Sequence, residues 1–380
     1  MSCVKQPLVS VLTPVYNGAD HLAECIESVL AQAYTNWDYT IVNNCSTDES
    51  LAIAQKYAAR DPRIRIVNND RFLRILENHN ETIRQISPES KYCKFVFADD
   101  WLYPSCIEEM VGVAEQHPSI GLVGAYTMDG RAVCWHGPPH PARCITGREV
   151  CRDRLLGGEY VFGTMTSLLV RSDLVRKRAA FFNELNLQAD LEACFDVLQE
   201  SDFGFVHQVL SFSRPPEQSA GSFASNFNTP RLADFTIFLK YAPALLNQTE
   251  YRRRWKEVGK QYYRVLAHNV LRIRPKQFWK YHQELLETYG CRIDPWLLMS
   301  SVVAEVASQL SHPLNAFRYG RRWWSSKVRQ ADSKRAENYR VPIRKEVTDG
   351  RKLSPPCTVE FEGGRMGRGP DRAGNPGNAG

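Results

Sequence analysis

Apolar and polar positions alternate between strand and helix patterns over the first hundred residues. Leu8-Val9-Ser10-Val11-Leu12 is a short, nearly continuous apolar run, as a strand buried on both faces requires. Leu22, Ile26, Val29 and Leu30 then recur at helical spacing behind the turn-prone Asn17-Gly18 and Asp20. A second strand is predicted over 37–42, and Asp48 stands ready to cap a helix over 49–60. A third strand over 63–67, a helix near 77–86 and a fourth strand over 92–97 follow. This β-α order predicts a doubly wound parallel sheet. Such sheets bind ligands at the carboxyl ends of their strands, and Asn43, Asn44, Asp99 and Asp100 lie just past such ends.

Further along, a helix is predicted over 107–116 and a Gly-rich strand over 120–126. Residues 129–146, rich in Gly, Pro and His, read as a loop. A strand over 161–170, a helix over 187–199 and a strand over 203–212 precede a Ser/Asn/Pro-rich loop, 213–230. Beyond Pro230 the period is helical, with breaks expected at Pro243, Pro275, Pro295 and Pro313. From about 346 onward Gly, Pro and Arg dominate without apolar periodicity, which predicts a disordered tail.

Composition adds two constraints. With 380 residues, 43% hydrophobic and 11% aromatic, the chain has enough apolar surface for a real core. The net charge of +6 is unevenly spread: residues 251–380 hold 26 Lys and Arg against 12 Asp and Glu, and residues 1–250 hold 22 against 30. An acidic body thus carries a basic extension. The eleven cysteines show no disulfide-scaffold rhythm, which points to a reducing compartment. No secretory signal pattern opens the sequence, and the apolar stretch 296–304 falls short of the roughly twenty residues that span a bilayer. The expectation is a cytoplasmic protein.

The chemistry centres on Asp99-Asp100, which follow the apolar Phe95-Val96-Phe97. Adjacent carboxylates repel each other, and a divalent cation holding diphosphate oxygens relieves that repulsion. A solvated turn is the plain alternative for such a pair, so the surrounding motifs decide. Val9 to Asn17 opens a strand-turn-helix with Thr13-Pro14-Val15-Tyr16, and Ile41 to Asp48 closes the second strand with Asn43-Asn44. Taken with Phe97-Ala98-Asp99-Asp100, these segments resemble the family 2 inverting glycosyltransferases of GT-A fold, over about residues 7–220. The resemblance implies a catalytic domain over 1–230, with a nucleotide-binding half near 7–127 and an acceptor half near 128–230. A helical basic extension over 231–345 and the tail 346–380 follow.

Carried over by position, the resemblance puts Thr13, Pro14 and Tyr16 in the loop that holds the nucleoside. Asn43 and Asn44 stand where relatives carry paired aspartates, and an amide, having both donor and acceptor, reads a base edge differently from a carboxylate. That departure leaves the nucleotide open, with a UDP-sugar favoured. Asn80 and Arg71 match nucleotide-side positions, although a solvated surface role suits Arg71 equally. Asp100 is implied as ligand of Mn²⁺ or Mg²⁺ and Asp99 as a nucleotide contact; Phe97 occupies a position where many relatives have a further Asp. Asp190, in Leu187-Gln188-Ala189-Asp190, matches the base that deprotonates the acceptor hydroxyl. A helix N-terminus there is expected to keep it ionised, and helix capping is its alternative role. Glu192 is a weaker candidate base, and Asp196 is expected on an exposed helix face. Arg214 matches the arginine over the leaving diphosphate. Pro216 replaces the usual metal-binding His two residues on, leaving Glu217 or water as stand-ins. Gly163 to Ser167 match the acceptor-facing segment, and a purely structural strand reads almost as well.

Two further features are weighed against plain explanations. Cys134, His136, His140 and Cys144 offer zinc-type ligands at a spacing that fits no zinc motif, so chance clustering is preferred. Residues 251–256 and 318–324 interleave cations with Tyr and Trp, which suits either an anionic membrane surface or packing on the catalytic body. Nucleic acid is not the expected partner. The reading is a transferase moving sugar from a nucleotide-diphosphate donor to a hydroxyl acceptor, a lipid-linked glycan being one candidate, in surface polysaccharide or glycoconjugate synthesis. The alternatives are a nucleotidyltransferase, against which the absence of a Gly-rich basic first loop counts, and a non-catalytic nucleotide-sugar binder.

Overall fold

Val9–Val15 (β1) is buried along its whole length, as its apolar run requires. The computed structural model describes residues 6–130, 132–134, 136–214, 227 and 229–311. After β1 come α1 (Ala19–Leu30), β2 (Trp37–Asn43), α2 (Ser50–Ala58), β3 (Ile64–Asn68), α3 (Ile75–Ile83) and β4 (Tyr92–Phe95). The short β5 (Trp101–Leu102), α4 (Cys106–Gln116), β6 (Ile120–Asp129), β7 (Ala132–Cys134), β8 (Cys144–Ile145) and α5 (Gly147–Leu155) follow. Then come β9 (Leu168–Arg171), α6 (Ser172–Arg176), α7 (Ala189–Leu198) and β10 (Asp202–Ser213). Four helices close the described chain: α8 (Thr229–Leu245), α9 (Gln248–Leu271), α10 (Lys276–Thr288) and α11 (Pro295–Ser311).

The strands form one mixed sheet in the order β3-β2-β1-β4-β9-β6-β10-β5, with β7 on β6 and β8 on β10. The first four are mutually parallel, as the β-α alternation requires. Antiparallel β9 joins β4 to β6, and β6 pairs with β10 in parallel. Successive side chains of a strand point to opposite faces, so Val11 and Leu12 enter different cores. Val9, Val11 and Val15 pack with Leu22, Ile26 and Val29 of α1 and Ile107 and Met110 of α4. Leu12, Phe95 and Leu122 pack with Phe195 of α7, Phe238 of α8, Tyr262 of α9 and Leu285 of α10. The basic extension therefore shares a core with the sheet.

Several expectations change. The strand expected over 161–170 begins only at Leu168, because Gly163 turns the chain at φ +70° and Met165–Ser167 form a single 3₁₀ turn. The expected loop 129–146 contains β7 and β8. Helix α5 was not foreseen, yet Thr146 and Glu149 form a reciprocal capping box at its start. Pro243 does not break α8; it lies two residues before the helix ends, where little of the hydrogen-bond ladder remains to lose. Pro275 caps α10 and Pro295 opens α11, while Pro313 and the tail 346–380 lie outside the described residues.

His282 locks the helical part. Its Nε2 faces the Phe227 carbonyl at 2.8 Å and must donate, so Nδ1 accepts from the Tyr262 hydroxyl at 2.9 Å. Burial pushes its pKa down to about 4, whereas the unfolded chain titrates near 6.5. The folded state thus binds fewer protons between these values, and stability falls as pH drops from about 6.5 toward 4. Replacing His282 with Gln is expected to flatten that dependence by about 1.4 kcal/mol per pH unit. Denaturant unfolding measured at several pH values checks this; an unchanged slope would refute it.

Candidate active site

The carboxyl end of β4 turns sharply, with Asp100 N bonding back to Phe97 O at 3.0 Å. This turn delivers Asp100 into a nearly closed setting, 6% exposed. Its Oδ2 accepts from Thr166 Oγ1 at 2.6 Å and Ser213 Oγ at 3.3 Å, and its Oδ1 from Arg214 N at 3.1 Å. Burial and the adjacent Asp99 charge push its pKa up to about 7, against which those three hydrogen bonds work. A carboxylate offers about four lone-pair sites, so Oδ1 keeps one free. Asp99 remains partly exposed beside it. A hard-oxygen ligand with a free lone pair, next to a second carboxylate that repels it, fits Mg²⁺ or Mn²⁺, which take one or two carboxylates and complete their shell with substrate phosphate and water. Arg214 is brought to this pair: Nε donates to Asp99 O at 3.2 Å and the guanidinium pairs with Glu24 at 2.7 Å. Pro216 and Glu217 lie outside the described residues.

The nucleoside-side residues divide into exposed surface and hidden support. Tyr16 is partly exposed and packs edge-on against Phe72, ring centroids 4.8 Å apart. Phe72 and the exposed Arg71 sit in the loop between β3 and α3. Thr13 is fully buried, its hydroxyl bonded to Tyr39 OH at 2.9 Å and Val96 O at 2.8 Å, and Pro14 is buried beside it. Asn44 clamps the Phe72 loop: Nδ2 donates to Leu73 O at 2.8 Å, while Oδ1 accepts from Leu73 N and Asn69 Nδ2, each at 2.9 Å. Asn43 bonds Asn68 Oδ1 at 3.0 Å and accepts from Ser46 N at 3.2 Å. Asn80 is saturated. It donates to Phe182 O and Glu184 and accepts from Phe181 N and Phe182 N, tying α3 to the segment before α7.

Asp190 stands in the first turn of α7, partly exposed, with Oδ1 accepting from Leu191 N at 2.9 Å. Burial raises its pKa above the ordinary carboxylate value, and that amide bond works the other way. The helix end therefore does not dominate its electrostatics, contrary to expectation; water displacement does. Tyr160, close enough to feel the Asp190 charge, bonds Gly163 O at 3.0 Å. Thr164 then meets Ser213 Oγ at 3.4 Å, and Ser213 reaches Asp100. Segment 160–167 thus runs between the two acidic centres. The backbone before Asp190 is braced by the extension, with Tyr281 OH accepting from Leu187 N at 3.0 Å and Gln188 bonding Thr229 at 3.0 Å.

Glu192 has a different setting from Asp190. It is 5% exposed and bonded to Lys240, Asn183, Asn186 and Tyr289. Asp196, expected on an exposed face, is partly covered and accepts from Tyr241 OH at 2.6 Å. Among the described residues no three His, Cys, Asp or Glu side chains gather for a metal, so Cys134, His136, His140 and Cys144 do not converge. His136 instead lies 3.4 Å from Glu159, and His207 holds Ala142 O. In segment 251–256, Tyr251 and Trp255 pack inward beside Phe238 rather than forming an interfacial belt. Segment 318–324 lies outside the described residues. Sequence reading missed Thr166 and Ser213 as partners of Asp100, since hydroxyls far along the chain carry no motif. Phe72 was missed as well, its one signal being an aromatic in a polar loop.

Residues 10–167 match the family model described as Glycosyl transferase family 2. The chain is 34% identical over 119 residues to the putative glycosyltransferase EpsE of Bacillus subtilis, covering 31% of this chain and 42% of that protein. It is 35% identical over 153 residues to the putative teichuronic acid biosynthesis glycosyltransferase TuaG of the same organism, covering 40% and 60%. The match thus spans less than two thirds of either relative. Among solved structures, Staphylococcus aureus TarS 1–349 in complex with UDP-GlcNAc superposes with a TM-score of 0.55 at 15% identity, covering 74% of this chain and 80% of that one. That likeness confirms the GT-A fold. Among the described residues no helix is long and apolar enough to cross a membrane.

Proposed function

Residues 10–167 make this chain a member of glycosyl transferase family 2, and from that premise we propose that it transfers a sugar from a nucleotide diphosphate to a hydroxyl with inversion. The observation that carries the reading is the Asp99-Asp100 pair, oriented by Thr166, Ser213 and Arg214, with Asp190 at the other end of segment 160–167. Asp190 takes the acceptor proton, the freed oxygen attacks the anomeric carbon, and the nucleoside diphosphate leaves from the opposite face. Asp100 would hold Mn²⁺ or Mg²⁺, with Asp99 beside it on the nucleotide, and the ion would neutralise charge on the leaving diphosphate. Arg214, tethered between Asp99 and Glu24, adds positive charge to the same region. Tyr16 and Phe72 supply an aromatic rim for the base, while Thr13, Asn43, Asn44 and Asn80 hold that rim and the α3 side in place.

The UDP-sugar bound to the TarS neighbour favours a UDP-sugar here, and the name of the TuaG relative favours a surface-polysaccharide acceptor. The acceptor half near 128–230 and the extension from 231 act as one support for Asp190. The proposed setting is the cytoplasm, at the inner face of a membrane when the acceptor is lipid-linked. Thermal shift with UDP-, GDP- and dTDP-sugars, with and without Mn²⁺, tests the donor site, because selective binding stabilises the fold by mass action. One nucleotide is expected to raise the melting temperature only with metal, and its sugar to be released with inverted anomeric configuration by NMR. Binding without release or transfer would leave a nucleotide-sugar binder and defeat the catalytic reading. Flotation with anionic vesicles tests the membrane setting, and protein left at the bottom of the gradient would remove it.

A further inference from the structure

Lys94, the third residue of β4, is fully buried, which is costly for a cation unless its donors are used. All three are used. Nζ donates to Thr166 O at 2.5 Å, to Leu168 O at 3.1 Å and to Met110 Sδ at 3.6 Å. Among the described residues no carboxylate lies within ion-pair distance, so the ammonium is held by one carbonyl of a 3₁₀ turn and one at the start of β9. Burial draws its pKa below the ordinary lysine value, yet the polar group is retained where the neighbouring strand positions are apolar.

That turn is Met165–Ser167, and its middle residue touches the acidic pair. Thr166 Oγ1 accepts from Phe97 N at 3.2 Å, which leaves its proton aimed at Asp100 Oδ2, 2.6 Å away. The backbone carbonyl of Thr166 is fixed by Lys94 and its side chain fixes Asp100. We infer that Lys94 is a positioning residue: it holds the 165–167 turn so that Thr166 keeps the Asp100 carboxylate in its ligand-ready orientation. The inference rests on the proposed metal-holding role of Asp100. Hydrogen-bonded partners behind a metal ligand typically change affinity by tenfold to a hundredfold when removed.

Mn²⁺ binding, followed by EPR of free Mn²⁺, separates this role from a purely structural one. Lys94→Met, close in shape and apolar, is expected to weaken Mn²⁺ affinity about tenfold to a hundredfold. Thr166→Val, which keeps the carbonyl that Lys94 grips, is expected to weaken it similarly. Since both act on one contact, the double variant is expected to bind Mn²⁺ no more weakly than Thr166→Val alone. A merely structural lysine would lower the melting temperature and leave Mn²⁺ affinity per folded molecule unchanged. Wild-type affinity in Lys94→Met, or fully additive losses in the double variant, would overturn the Lys94 role alone. No Mn²⁺ binding by the wild-type protein would instead overturn the metal reading of Asp100, and this inference with it. Should Lys94→Met not fold, Lys94→Leu, which also removes the donors to Thr166 O and Leu168 O, is measured in its place with the same criteria.

Discussion

Asp190→Ala is expected to lower the turnover of sugar transfer by ~10²–10⁴-fold, the usual worth of a positioned general base, while donor binding is retained. The carboxylate is suited to that work by its setting. It lies in the first turn of α7, its Oδ1 accepts a hydrogen bond from the next backbone amide, and it remains partly exposed. Burial raises its pKa, which makes the ionised form more basic toward an acceptor hydroxyl than a solvated carboxylate. Steady-state kinetics with the donor found by thermal shift measure the loss in kcat, and a titration of the same donor measures binding. Asp190→Asn, of equal size, guards against a packing artefact. Turnover within a few-fold of wild type in both variants would remove Asp190 as the base. A parallel loss of donor binding would place it instead in the donor site.

The nucleotide-side half was legible because its signals are local. Apolar runs and helical spacing fixed β1 to β4 and their helices within a few residues, and Asp99-Asp100 fell where parallel strands end. Segment 160–171 was not legible, because Gly163 and the hydroxyls of Thr164, Thr166 and Ser167 permit a turn that alternation alone reads as strand. Helix α5 was missed although Thr146-x-x-Glu149 states its start, since the helix is mostly charged and carries little apolar period. Positions gave candidates but not roles. Thr13, Asn44 and Asn80 are close to the site, yet their polar groups are used internally, which only coordinates reveal. The basic-aromatic stretch 251–256 stayed open between membrane and packing because spacing cannot say which side Tyr251 and Trp255 face; here they face Phe238, as the packing alternative has it.

Glu192, two residues beyond the proposed base, is expected to govern stability rather than turnover. Its carboxylate is 5% exposed and receives Lys240 Nζ at 2.8 Å, Asn183 Nδ2 at 3.0 Å, Asn186 Nδ2 at 3.1 Å and Tyr289 OH at 2.8 Å. Burial alone would raise its pKa, but the Lys240 charge and these hydrogen bonds outweigh it and hold the pKa below the ordinary value. A carboxylate held that way stabilises the fold above its unfolded pKa, and the contribution fades as pH falls through the folded value. Four groups from α8, the α10 end and the loop before α7 therefore converge on one acid. Glu192→Gln cannot accept from all of them and leaves Lys240 only its second partner, Asp196 at 3.1 Å, so a loss of about 3 kcal/mol is expected. This is the low end for a broken buried pair, because Lys240 is one-third exposed and regains water. Denaturant unfolding at pH 7 measures the shift, with an unchanged m-value showing that the cooperative unit is intact. Turnover per folded molecule is expected to stay near wild type. A variant as stable as wild type but without turnover would exchange the roles of Glu192 and Asp190, and the brace that α8 and α10 give to α7 would then serve the base directly.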